Sequence, residues 1–150
     1  MRTSLCVAVT LLCWSLNAHA QNTGFGAGIM LGDPTGLSFK GWLTARNAVD
    51  AGAAWSFRGK GYLHVHGDYL WHFMNAVRNA EGFVLYAGPG ARLGFADGGS
   101  VLGIRIVGGA EYWIAGAPLD VFLEIAPIVD LIPRTEGSLN GGLGIRYFFE

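Results

Sequence analysis

Over long stretches of this chain every second residue is apolar. Between positions 63 and 72, Leu63, Val65, Gly67, Tyr69 and Trp71 alternate with His64, His66, Asp68, Leu70 and His72. Upstream, Val49, Ala51, Ala53, Trp55 and Phe57 alternate with Asp50, Gly52, Ala54, Ser56 and Arg58. A period of two belongs to a β-strand, whose side chains point alternately to its two faces. Six further segments repeat it. Phe25, Ala27, Ile29 and Leu31 alternate with glycines and Met30, and Leu37, Phe39 and Leu43 with Ser38, Lys40 and Trp42. Phe83, Leu85, Ala87, Ala91 and Leu93 oppose Tyr86, Gly88, Gly90 and Arg92. Leu102, Ile104, Ile106 and Ala110 oppose Gly103, Arg105 and Glu111. Leu119, Val121, Leu123, Ile125 and Val129 oppose Asp120, Glu124 and Asp130. Leu139, Leu143, Ile145, Tyr147 and Phe149 oppose Asn140, Gly144 and Arg146. The pattern predicts eight strands, each of about 9–11 residues, the length a tilted strand needs to cross a bilayer.

Turn residues fall between the segments. Asp33 to Gly36, Arg58 to Gly61, Asp97 to Ser100 and Ile132 to Ser138 form one set of connections. Ala45 to Asn47, Phe73 to Gly82 and Ala115 to Pro118 form the other. Gly, Asp, Asn and Pro supply the backbone angles that hairpins require. The expected fold is therefore all-β, an eight-stranded antiparallel up-and-down transmembrane barrel.

Composition narrows the class. The sequence is 51% hydrophobic and 14% charged, whereas a soluble domain carries about 25% charged residues. After residue 20 no apolar run is long enough for a membrane-spanning helix, so a closed barrel is the remaining spanning solution. Residues 1–20 read as a cleaved signal peptide: Arg2, an apolar run from Leu5 to Leu16, then Ala18-His19-Ala20 as the small-x-small cleavage signal. Leu5 before Cys6 and Leu12 before Cys13 provide no small-residue box for lipid attachment. Residues 21–150 then form a single barrel domain without cysteine, so no disulfide supports it. Of ten Lys+Arg, Arg2 leaves with the leader, so nine stand against eleven Asp+Glu, a net charge of −2. That balance, with no basic cluster, excludes a nucleic-acid footprint.

Three features, Ala18-His19-Ala20, the alternating strands and the terminal Gly142-Leu143-Gly144-Ile145-Arg146-Tyr147-Phe148-Phe149, carry a resemblance. The chain resembles the small eight-stranded bacterial outer-membrane barrels, namely the outer membrane protein A-like transmembrane barrel and its short-looped relatives. The resemblance implies an outer-membrane address, contact with outer-membrane lipid, the outer-membrane assembly machinery as a partner during biogenesis, and a monomer. It also implies both chain ends in the periplasm. The outside loops are then short and the longest link, Phe73 to Gly82, is periplasmic, which disfavours adhesion through long loops.

Candidate chemistry lies on the face opposite the apolar one. Lys40, Arg58, Arg92, Arg105 and Arg146 share that face with Asp50, Asp68, Glu111, Asp120, Glu124 and Asp130. Buried charges cost several kcal/mol each unless paired, and an eight-stranded interior is just wide enough for side chains to fill it. The expectation is a charge-paired, largely closed lumen. Interior glycines (Gly26, Gly28, Gly52, Gly88, Gly90, Gly142 and Gly144) leave room for the long side chains opposite.

His64, His66 and Asp68 form a weak metal candidate, because residues two apart on a strand stand roughly 6.5–7 Å apart and a third ligand is required; pairing of the histidines with lumen carboxylates is the simpler reading. No metal, cofactor or catalytic group is assigned. The serines after the leader (Ser38, Ser56, Ser100 and Ser138) occupy no nucleophile motif. Trp42, Trp55, Trp71, Trp113, Tyr62, Tyr69, Tyr112, Tyr147 and Phe149 suit interfacial girdles. The functional expectation is a non-enzymatic integral outer-membrane protein with an envelope role or narrow, porin-like solute passage. The alternatives are a membrane-embedded lipid-modifying enzyme, favoured by a serine beside His64, His66 or His72, and a soluble lipocalin-like barrel, which would be apolar inside.

Overall fold

The computed structural model describes residues 22–33, 35–56 and 62–149. Eight strands follow in chain order: β1 (Phe25–Asp33), β2 (Thr35–Trp42), β3 (Asn47–Ser56), β4 (Tyr62–Phe73), β5 (Phe83–Ala96), β6 (Gly99–Trp113), β7 (Leu119–Ile132) and β8 (Glu136–Phe149). Each pairs antiparallel with its neighbours, and β8 returns to β1 to close the barrel. Closure removes the unpaired edges that an open sheet would expose. The leader expectation, Pro34, Arg58 and the turn at 58–61 lie outside the described residues. No helix among the described residues is long and apolar enough to cross a membrane.

The strands are less uniform than expected. β1, β2 and β3 have 9, 8 and 10 residues, but β5 to β8 have 14 or 15. The excess gathers at the end away from Phe25 and Phe149, where β1 pairs with β8 only as far as Asp33–Gly141. The β7–β8 hairpin continues beyond that point to Asp130–Glu136. Its link is the short segment 133–135 rather than the whole of Ile132 to Ser138, because Glu136 already pairs in the ladder.

The alternation in the sequence becomes an inside and an outside. Ile29, Leu31, Ile104, Ile106, Leu123, Ile125, Leu139 and Leu143 are exposed on the outer wall. Lys40, Asp50, Asp68, Arg105, Glu111, Asp120, Glu124 and Arg146 are buried within. This is the reverse of a lipocalin-like barrel, whose interior would be apolar.

The interior is not uniformly polar, however. Leu70, Tyr86, Val107 and Ala126 pack as a buried apolar cluster at mid-height, and Met30, Phe122, Ile128 and Phe148 are also buried inward. The β4–β5 ladder skips Tyr69–Leu70 against Gly88–Pro89, and the β6–β7 ladder skips Ile106–Val107 against Ala126–Pro127. Proline has no N–H to donate, so Pro89 and Pro127 coincide with both interruptions, at the level of the apolar cluster.

Candidate functional site

The lumen is the site, and its geometry follows from small residues set opposite large ones. At Gly28 an added Cβ would stand 2.7 Å from the Arg146 Cα, and at Gly90 it would stand 2.7 Å from the Asp68 Cγ. At Gly52 it would stand 2.6 Å from His66 Nε2. Glycine makes space for the facing side chain at Gly52 and Gly90, and at Gly28 it lets the β8 backbone at Ile145 and Arg146 approach closely.

Arg146 is the centre of the cluster nearer the chain termini. Its Nη1 donates to Asp50 Oδ2 at 2.7 Å, and its Nη2 donates to Asp120 Oδ2 at 2.9 Å and to Glu111 Oε2 at 3.3 Å. Its Nε donates to Asp120 Oδ1 at 3.1 Å, and the guanidinium lies 4.0 Å from the Phe122 ring centroid. Lys40 Nζ donates to Glu111 Oε2 and stands 4.4 Å from the Trp42 ring. His72 Nε2 is 3.7 Å from Glu111 Oε1, while its Nδ1 is 3.0 Å from the Arg46 carbonyl.

A second group lies deeper along β4. Arg105 Nε is 3.1 Å from Asp68 Oδ1, and its Nη2 is 3.4 Å from Glu124 Oε1. Tyr86 donates its hydroxyl to Glu124 Oε2 at 3.1 Å. At the far end Arg92 forms a two-pronged pair with Asp130, Nε to Oδ1 at 2.8 Å and Nη2 to Oδ2. Such forked Arg–carboxylate pairs combine charge with fixed geometry. The described members of the expected charge network thus meet in three connected groups.

Three residues land differently from the sequence expectation. Trp42 and Trp113 belong to no outer girdle, because they share the inward parity of Lys40 and Glu111. Their rings meet edge-on at 6.0 Å, and Trp113 Nε1 donates to Glu111 Oε1 at 2.8 Å; together they stopper the end nearer the termini. Tyr62 likewise points inward, lining a cavity of about 280 Å³ at the opposite mouth with Asp33, His64, Arg92, Ser138, Leu139 and Asn140. The parity of these tryptophans was present in the sequence, and it is the signal that the girdle reading overlooked. Phe25, Trp71, Phe73, Tyr112, Tyr147 and Phe149 do face outward, around the termini-side rim.

The histidines separate. His64 lines the far mouth, and among the described residues its Nε2 has no hydrogen-bond partner, Ser138 included. His72 belongs to the Glu111 cluster. Among the described residues, the group that the fold brings together in a metal-capable arrangement is Asp50, His66 and Asp68, whose ligand atoms all lie within 4.8 Å of one another. Asp50 on β3 therefore takes the place that sequence proximity suggested for His64.

No protein-family model matches this sequence, and no curated protein matches it. Among solved structures, the chain is similar to the N-terminal beta-barrel domain of Pseudomonas aeruginosa OprF, with a TM-score of 0.65 over 83% of this chain and 95% of that one, at 16% identity. A likeness at that identity speaks to fold, and the fold shared is the closed barrel of antiparallel strands.

Proposed function

We propose that this chain is an integral outer-membrane protein, exported by its first twenty residues, whose barrel presents an apolar wall to lipid and keeps its lumen closed. The observation that carries the reading is the inversion of polarity: among the described residues, large aliphatic side chains cover the outside while ten Lys, Arg, Asp and Glu side chains are buried inside. In water such a wall would be an aggregation hazard, since soluble monomers rarely expose apolar patches beyond a few hundred Å². In a bilayer it is the surface that lipid requires. Tryptophans at one end, the apolar cluster at mid-height and the Arg92–Asp130 pair at the other oppose a continuous water path. The role is then structural, contributing to the envelope rather than to bulk solute flow.

Fractionation of cells expressing the full chain tests the address. The protein is expected in the outer-membrane fraction, resisting urea extraction and migrating in a heat-modifiable way in detergent gels. Recovery as a detergent-free soluble periplasmic protein would contradict the proposal. An acyl-transfer reading draws on Ser138 and His64 lining one mouth, but the two form no serine–histidine hydrogen bond through Nε2, so the non-enzymatic role is the better supported.

A further inference from the structure

Asp50 and Asp68 are directly opposite each other in the β3–β4 ladder, where two like charges repel. Each carboxylate turns one oxygen to an arginine: Asp50 Oδ2 accepts from Arg146, and Asp68 Oδ1 faces Arg105. The remaining oxygens both turn towards one imidazole nitrogen. His66 Nε2 is 3.8 Å from Asp50 Oδ1 and 3.9 Å from Asp68 Oδ2. Neither separation is a hydrogen bond, and Asp68 Oδ2 has no hydrogen-bond partner although Asp68 is only 5% exposed. The nitrogen is nearly equidistant from the two carboxylates.

Three ligand atoms around a common point are what a divalent cation requires. We propose that Asp50, His66 and Asp68 bind a single divalent transition-metal ion of the zinc class inside the lumen. With metal–ligand bonds of about 2.0–2.1 Å, tetrahedral ligands stand about 3.4 Å apart. The two His66–carboxylate separations therefore need to contract by about half an ångström, and the carboxylate–carboxylate separation, within 4.8 Å, by up to about 1.4 Å, through side-chain rotation. One nitrogen and two carboxylate oxygens suit zinc, and leave a fourth position for water.

Charge balance points the same way. Among the described residues, the buried cations are Lys40, Arg92, Arg105 and Arg146, while the buried carboxylates are Asp50, Asp68, Glu111, Asp120, Glu124 and Asp130. Among these described groups carboxylates outnumber cations, and in a poorly solvated interior an uncompensated excess is costly. The site lies one inward step from the far-mouth cavity. His64, which lines the cavity at the far mouth, is one inward step above His66, and the two rings meet edge-on at 5.3 Å.

The test uses the untagged barrel folded in detergent micelles, stripped with EDTA and titrated calorimetrically with Zn²⁺. One equivalent is expected to bind. His66→Ala and Asp68→Asn are each expected to weaken binding at least about tenfold, whereas His64→Ala leaves it unchanged. Zinc-edge absorption on the unmutated protein, which needs no variant to fold, is expected to show one imidazole among oxygen ligands. Absence of zinc binding by the unmutated protein, undiminished affinity in a folded His66→Ala or Asp68→Asn variant, or a metal shell without imidazole would each overturn the site.

Discussion

Three carboxylates converge on the guanidinium of Arg146, which uses Nε and both terminal nitrogens to reach Asp50, Glu111 and Asp120. Removing it leaves those acids with Lys40 as the remaining nearby cation bonded to any of them. Breaking a buried pair by deleting one partner costs about 3–5 kcal/mol. Arg146→Ala is therefore expected to lower stability by about that amount, read as a shift of the urea unfolding midpoint in lipid vesicles; an unchanged midpoint would show that the cluster contributes nothing. Arg146→Lys is expected to recover only part of the loss, because an ammonium cannot reproduce the planar fork. On the adjoining strand, Gly28→Ala would drive a Cβ into the Ile145 carbonyl oxygen and to within 2.7 Å of the Arg146 Cα. Overpacking of this kind costs about 1–3 kcal/mol, measurable in the same unfolding assay. At this scale most of the lumen could be read from parity alone: each inward charge sits an even number of residues from its inward neighbours on the same strand. What parity does not supply is the partner across the barrel. Asp50 joins His66 because β3 and β4 are adjacent and in register, a fact of the whole fold that two-residue spacing along β4 cannot contain.

Strand existence was plain in the sequence, but strand length was not. The apolar alternation ends short of the strand ends, whereas the hydrogen-bonded ladder continues through polar residues such as Glu136 and Ser138. The girdle assignment failed at Trp42 and Trp113 for a related reason: aromatics at strand ends serve equally as an outer belt or an inner stopper, and only the parity with Lys40 and Glu111 separates the two. The wall itself predicts a depth effect. Ile106 is an exposed residue at the middle of β6, and Leu131 is exposed near the end of β7. Arginine on a lipid face costs about 2–4 kcal/mol at the bilayer midplane and about 0–1 near the interface. Ile106→Arg should therefore be much the more damaging in vesicle unfolding experiments. Equal costs at the two positions would mean that no apolar slab surrounds the barrel.

For the molecule as a whole, the inverted polarity and the layered lumen make one statement: the wall is apolar and the interior holds the charges. The filled interior predicts no stable single-channel conductance in planar bilayers from the purified barrel. Steady, reproducible open levels would contradict it. The facing of the wall can be read residue by residue, because residues 21–150 contain no cysteine and single cysteines can be placed without background. The most direct measurement is nitroxide labelling of β7 in lipid vesicles at Leu123, Ile125 and Val129, which face outward, and at Ala126 and Ile128, which are buried inside. Labels at the three outward positions should collide freely with dissolved oxygen and be shielded from a water-soluble nickel reagent, while those at the two inward positions should be shielded from both. Outward labels open to the nickel reagent would contradict the claim that this barrel turns its apolar face to a membrane.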